Sequence, residues 1–85
     1  MSRQRSDLNQ ARIVEQLRSI GCTVIVVSAR EKWDLQVGYH GKNYMFEIKQ
    51  PGEELRPKQK EFFGWWRGKI YRVESFEDCL EIMEE

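Results

Sequence analysis

Three charged residues near the middle of the chain, Asp34, Glu47 and Lys49, are of the types that carry out metal-assisted hydrolysis. Glu47 and Lys49 are two positions apart on a predicted strand, so their side chains share one face of the sheet. A Gly-containing turn at His40–Lys42 folds the segment that bears Asp34 back against that strand, so the two carboxylates converge. Mg²⁺ or Mn²⁺ between them would relieve their repulsion and activate a bound water, and Lys49 would position that water or stabilise transition-state charge.

The same acid–x–Lys pattern has a second interpretation, an exposed cross-strand ion pair. Exposed pairs contribute only about 0–1 kcal/mol, so they need no functional explanation. The apolar surroundings favour a functional site, because charges embedded in apolar strands are costly without a partner or a purpose. The large apolar neighbours in the sequence are Trp33, Leu35, Met45, Phe46 and Ile48.

Hydrophobic periodicity and turn residues predict an α/β domain with the element order αβββαβα. The first predicted elements are a helix over 8–20, capped by Asp7 and ended by Gly21, and a strand over 22–27 that is buried on both faces. Two further strands are predicted over 33–39 and 43–49. A helix from Pro57 to before Gly68, a strand over 70–73 and a final helix capped by Ser75 follow. Joining the last two strands through a helix implies that they are parallel, so the sheet is mixed.

Composition predicts a single domain over 1–85 with no apolar run that could cross a membrane. The polar, basic N-terminus is not followed by an apolar segment, which indicates a cytoplasmic protein. Cys22 and Cys79 lack metal-ligand spacing and are expected to be buried, reduced thiols. All 14 basic residues lie within 1–73 with eight of the 14 acids, and the other six acids follow. A basic body of this kind can meet a polyanion.

The segment from Trp33 to Lys49 resembles the core of the PD-(D/E)XK nuclease superfamily, in particular its small stand-alone phage-type VRR-NUC domains. Leu55 to Gln59 resembles the leucine–threonine–proline–x–glutamine segment of that family, and Trp66–Gly68 resembles its tryptophan–x–glycine. The resemblance covers nearly the whole chain in order. It implies a restriction-endonuclease-like core, in which a mixed sheet is flanked by helices.

The resemblance also implies roles for individual residues. Asp34 and Glu47 would be ligands of Mg²⁺ or Mn²⁺, the backbone carbonyl of Ile48 would be a third ligand, and Lys49 would be the catalytic lysine. Gln59 would support the site or contact DNA; the alternative is a helix residue that faces solvent. No organic cofactor is expected.

Two departures from the family pattern affect the site. Gln10 stands where the family usually has a metal-binding Glu, and it shares a helix face with Ile13, Val14 and Leu17, so it should point toward the site. An amide orients a metal-bound water but adds no charge, so weaker metal binding or an altered metal preference follows. The loop before Asp34 lacks the glycines and proline that the family usually has there. Its Arg30 and Lys32 are candidate phosphate contacts, and the alternative is that they are solvated loop charges. Lys58 is a third candidate phosphate contact.

Three functions remain open from the sequence. The leading hypothesis is a DNA endonuclease, a Mg²⁺- or Mn²⁺-dependent phosphodiester hydrolase that cleaves branched DNA such as Holliday junctions, flaps or nicked duplexes, and acts as a homodimer. The second is a nucleic-acid-binding module of the same fold that has lost activity. The third is a phage protein that binds a host factor. Trp65 and Trp66 are expected in the core and a dimer surface, with base stacking as the alternative.

Overall fold

The computed structural model describes the backbone of residues 5–27 and 32–85, and the side chains of residues 8–27 and 32–85. Its elements are α1 (Arg5–Ser19), β1 (Thr23–Val26), β2 (Leu35–Tyr39), β3 (Lys42–Ile48), α2 (Pro57–Trp65), β4 (Tyr71–Val73) and α3 (Phe76–Met83). The predicted order αβββαβα is confirmed, and most boundaries shift by one to three residues.

The four strands form one mixed sheet in the order β1-β2-β3-β4. β1 pairs with β2 and β2 pairs with β3 in antiparallel fashion, whereas β3 and β4 are parallel. The predicted mixed sheet is therefore confirmed. α2 lies in the connection between the two parallel strands, as the sequence implied.

The β2–β3 hairpin turns through His40 and Gly41, which have φ angles of 50° and 78°. Two successive positive φ values match the right-handed twist of the strands they join, and glycine adopts such a value without strain. The turn fixes the register, which pairs Leu35 with Phe46 at the far end of the hairpin. Asp34 directly precedes that pair, so it lies across from Glu47.

One face of the sheet forms the hydrophobic core together with α1 and α3, which contact β1, β4 and each other. Alternate residues of β3 point into this core, and the residues between them point to the opposite face. The core residues include Ile13, Leu17, Leu35, Val37, Phe46, Val73 and Cys79. The opposite face therefore carries Asp34, Glu47 and Lys49.

The prediction that the first strand is buried on both faces is wrong. β1 is an edge strand, and Ile25 is 61% exposed although Val24 is buried. A run of β-branched apolar residues has the same composition at an edge and in the centre of a sheet, so the pattern did not separate the two cases. The cap of the first helix was also placed wrongly, since α1 begins at Arg5 and Asp7 lies within it.

The remaining boundary signals agree with the structure. Gly21 has a φ of 97° just after α1, the left-handed conformation that ends helices. The Ser75 hydroxyl accepts a hydrogen bond from the Asp78 N–H at 3.2 Å, which caps α3. Cys22 and Cys79 are buried free thiols, and burial raises the pKa of Cys79 to about 12. Among the helices described, none is long and apolar enough to cross a membrane.

Candidate active site

Asp34 lies where β2 begins and closes the end of the β2–β3 ladder. Its backbone N–H donates to the Phe46 carbonyl at 2.9 Å, and its carboxylate Oδ2 accepts the Ile48 N–H at 2.8 Å. Ile48 needs this partner because β2 no longer supplies a backbone carbonyl beyond Leu35. Asp34 is therefore held by two hydrogen bonds to the backbone of β3, one through its own N–H and one through its carboxylate.

Glu47 is buried among polar groups near the end of β3, with only 4% of its surface exposed. Its Oε2 accepts a hydrogen bond from Gln59 Nε2 at 2.8 Å and lies 3.6 Å from Lys49 Nζ. Burial and, after it, the nearby Asp34 raise the pKa of Glu47 to about 7, although Lys49 and the hydrogen bond from Gln59 act to lower it. Above this pH the carboxylate is ionised in surroundings that favour its neutral form.

Lys49 is the second buried charge, with 3% of its surface exposed. Its backbone N–H donates to the Val73 carbonyl at 2.9 Å, which continues the parallel pairing past β3. Its Nζ lies 3.9 Å from Glu53 Oε2 in addition to the contact with Glu47. An exposed ion pair, the alternative left open by the sequence, is therefore excluded, because both members of the Glu47–Lys49 pair are buried.

Sequence reasoning missed Glu53 as a neighbour of this site. The turn after β3 brings it back, because Gly52 has a φ of 81° and the Glu53 N–H donates to the Gln50 carbonyl at 2.9 Å. The Gln50 N–H in turn donates to Glu53 Oε1 at 2.8 Å. The Pro51-Gly52 pair was the available signal, since it predicts a tight turn that folds the following residue back.

Gln59 is in the first turn of α2, and both ends of its amide are engaged. Its Oε1 accepts the Arg56 N–H at 2.9 Å, which satisfies a free donor at the helix start. The amide nitrogen must then point the other way, where it donates to Glu47. The predicted supporting role agrees with this contact, and the alternative of a side chain that faces solvent is wrong.

The variant Gln59→Glu separates the support that Gln59 gives to Glu47 from its capping of α2. A Glu here would still accept the Arg56 N–H and would favour the start of α2, so capping alone predicts equal or higher stability. It would also place a third carboxylate against Glu47, so we expect a lower melting temperature at about pH 8.5 and little change at about pH 5. Thermal unfolding at the two pH values measures this. Gln16→Glu in α1 is the matched control, and an equal response of the two variants would contradict the role.

The donor set fits a hard divalent cation. Asp34 and Glu47 supply oxygen ligands, and Mg²⁺ typically takes one or two protein carboxylates and completes its shell with waters and phosphate. The Ile48 carbonyl leaves the strand on the same side as its N–H, which bonds Asp34, so it is directed toward the same edge. The described residues contain no cluster of three or more His, Cys, Asp or Glu that could hold a metal.

Gln10 is half-buried on α1, and its side chain makes no hydrogen bond to another described residue. The start of α1 is fixed near the end of β4, because Asn9 Nδ2 donates to the Glu74 carbonyl at 3.2 Å. β4 runs parallel to β3, so Glu74 lies at the end of the sheet where Lys49 lies. The place of Gln10 in a metal site stays a prediction.

The predicted phosphate contacts are partly brought together. Lys32 and Lys58 line one open groove of about 450 Å³ with Glu61, Phe62 and Trp65. Arg30 lies outside the described residues. A groove with two lysines has the charge that a phosphate backbone requires.

Trp65 and Trp66 are not core residues, so that part of their prediction is wrong, and a place on a dimer surface stays a prediction. Trp65 is 70% exposed and Trp66 is 36% exposed, and none of the nine residues of α2, all of them described, is fully buried. The aromatic run at helical spacing was expected to pack inward. Of the helix aromatics, Phe62 and Phe63 are half-buried and Phe62 stacks on Trp33, while Gln59 contacts Glu47 through a hydrogen bond.

Comparison with known proteins gives no assignment, since no family model, no curated protein and no solved structure matches the chain. The fold and the side-chain geometry are the basis for function. They define an α/β domain in which a buried Glu–Lys pair faces a second carboxylate at the end of a mixed sheet.

Proposed function

We propose that this protein is a Mg²⁺- or Mn²⁺-dependent nuclease of the PD-(D/E)XK type that hydrolyses phosphodiester bonds in branched or otherwise structured DNA. The observation that supports it most is the buried Glu47, whose pKa is raised to about 7 next to Asp34. Carboxylates held together against their repulsion are typical of sites that bind a cation. The sequence resemblance to VRR-NUC domains points to the same chemistry.

Each residue of the site has a role in this reaction. Asp34 and Glu47 would hold the metal ion, which would supply a water of lowered pKa and polarise the phosphate. Lys49 orients the attacking water and stabilises the charge that grows on the phosphate oxygens. The water oxygen bonds to phosphorus as one ester P–O bond breaks. The water gives up a proton to solvent and the leaving oxygen takes one from solvent, which leaves a phosphate end and a hydroxyl end. Gln59 is a positioning residue, because it acts through Glu47.

A second candidate is a DNA-binding module of the same fold without activity. It is favoured by Gln10, which adds no charge, and by the two-carboxylate site. Weak metal binding would leave the basic surface with Lys32 and Lys58 as its functional part. Both candidates predict DNA binding, and only the first predicts cleavage.

A cleavage panel distinguishes the two candidates. Purified protein is incubated with junction, flap, nicked, single-stranded and duplex DNA in Mg²⁺ or Mn²⁺. We expect cleavage of the branched substrates and none by Asp34→Asn, which keeps an oxygen for the Ile48 N–H but lacks the charge. Gln10→Glu should increase cleavage at low metal concentration if Gln10 faces the site. Binding of branched DNA without cleavage in either metal would favour the inactive module.

We also propose that the enzyme acts in the cytoplasm as a two-fold dimer, which would bring two active sites to one branch point. Exposed apolar residues on α1, directly after α1 and on β1 offer a surface that a dimer would bury. They are Leu8, Ile20, Ile25 and Val26. Sedimentation equilibrium would give twice the 10.2 kDa chain mass for a dimer and the chain mass itself if the proposal is wrong.

A further inference from the structure

Four aromatic rings in contact with one another lie on and beside α2 and are called here the aromatic surface: Trp33, Phe62, Trp65 and Trp66. Trp33 stacks on Phe62 with ring centroids 5.8 Å apart and planes 8° apart. Phe62 also contacts Trp65 and Trp66 at centroid distances of 6.0 and 5.6 Å. The rings support one another, while Trp65 stays 70% exposed.

Gly68 helps to hold this surface in place. A Cβ atom at residue 68 would lie 2.9 Å from Trp66 Nε1, so any side chain there would push the indole ring away. The glycine lets the chain after α2 pass directly against Trp66. An exposed aromatic group that is fixed in this way is pre-organised for binding, since little side-chain entropy is lost when a ligand arrives.

The charges around the aromatic surface indicate its ligand. Lys32 and Lys58 line the groove beside Phe62 and Trp65, and Arg67 lines a second groove of about 400 Å³ beside Trp65 and Trp66. Glu61 is the one acidic residue in the two linings. A second copy docked symmetrically here would bring these three cations near their own equivalents, whereas a polyanion would be attracted.

We propose that the aromatic surface binds unpaired nucleotides of the DNA substrate. Bases stack on Trp65 and Trp66, and Lys32, Lys58 and Arg67 contact the flanking phosphates. The inference rests on the proposed function in that DNA is the ligand. α2 links the two regions, because Gln59 at its start holds Glu47 and Trp65 at its end is roughly 9 Å further along the helix axis.

Binding is measured without metal, in EDTA, so that cleavage plays no part. Tryptophan quenching and anisotropy report the affinity for oligothymidylate, for an abasic oligonucleotide with the same number of phosphates, and for blunt duplex. We expect tighter binding to oligothymidylate than to either of the others. Trp65→Ala should weaken oligothymidylate binding by about 5- to 150-fold with little effect on the abasic strand, and Trp65→Phe should restore part of the loss.

Two charge variants test the phosphate contacts. Lys58→Ala should weaken binding to oligothymidylate and to the abasic strand alike and reduce the salt dependence. Lys42→Ala, at the hairpin turn on the far end of the sheet from the site, is the matched control and should change neither. A similar loss in both variants would mean that lysines act only through overall charge and would overturn the assigned contacts.

Equal affinity for oligothymidylate and the abasic strand would overturn the proposal, because stacking requires bases. It would also be overturned if Trp65→Ala lowered the sedimentation mass and left oligothymidylate binding unchanged, since the surface would then join two copies. Failure of the nuclease proposal is distinguishable. Base-dependent binding without cleavage contradicts only the enzyme, and cleavage without base-dependent binding contradicts only the aromatic surface.

Discussion

Glu47→Gln should raise the free energy of unfolding at about pH 8.5 by about 3 kcal/mol and abolish metal-dependent cleavage. The gain follows from burial, since the folded protein holds this carboxylate ionised in a place that favours the neutral form. Gln mimics that neutral form and still accepts the hydrogen bond from Gln59. The expected gain in unfolding free energy already allows for the attraction between Lys49 and the Glu47 carboxylate, because the pKa of about 7 includes the lowering effect of Lys49.

The sign of the pH dependence follows from the two pKa values. The Glu47 pKa is about 7 in the folded protein and 4.5 in an unperturbed chain, so the folded state binds this proton more tightly. Below about pH 4.5 both states are protonated, and the group has no effect on stability. Wild-type stability falls as the pH rises from 4.5 and levels off above about 7, whereas the Gln variant does not show this loss.

Chemical denaturation of wild type and Glu47→Gln at about pH 5 and pH 8.5 measures the effect, with the exposed Glu54→Gln as the control. Stabilisation of the fold by added Mg²⁺ tests metal binding without measuring cleavage. Mg²⁺ should raise the melting temperature of wild type most at about pH 8.5, where the carboxylates repel, and should have little effect on the variant. If Glu47→Gln gained no stability at about pH 8.5, the carboxylate would not be strained and the main support for a metal site would be lost.

The hairpin and the meeting of Asp34, Glu47 and Lys49 were predictable from sequence because they depend on local rules. A Gly-containing two-residue turn sets the register, and period-two alternation then decides which side chains share a face. Their burial was suggested by apolar neighbours alone. A supporting role for Gln59 came only through the family resemblance, and its contact with Glu47 was not predicted, because it joins residues 12 positions apart on different elements.

The errors concern features that depend on the whole fold. A β-branched run such as 22–27 does not reveal whether its strand is at an edge. Trp65 shows the same difficulty, since an aromatic residue at helical spacing predicts an inward face only when the helix has apolar surface to cover. α2 contacts the site through the Gln59–Glu47 hydrogen bond, Phe62 and Phe63 are half-buried, and Trp65 is left exposed.

Lys49→Met should reduce cleavage by about 10²- to 10³-fold while DNA binding in EDTA is retained. Met keeps the length and the apolar stem of the side chain and removes only the ammonium group. That group lies 3.6 Å from Glu47 Oε2, and its loss should raise the Glu47 pKa above its present value of about 7. Stability should therefore fall more steeply with rising pH than in wild type.

The double variant Glu47→Gln/Lys49→Met separates catalysis from stability. With Glu47 neutralised, the buried charge that Lys49 compensates is gone, so the double variant should recover most of the stability that Lys49→Met loses at about pH 8.5. Its cleavage should stay at the level of the weaker single variant, because the two residues act on the same reaction. Normal cleavage by Lys49→Met would show that the ammonium group only balances Glu47, and the catalytic lysine would have to be sought elsewhere.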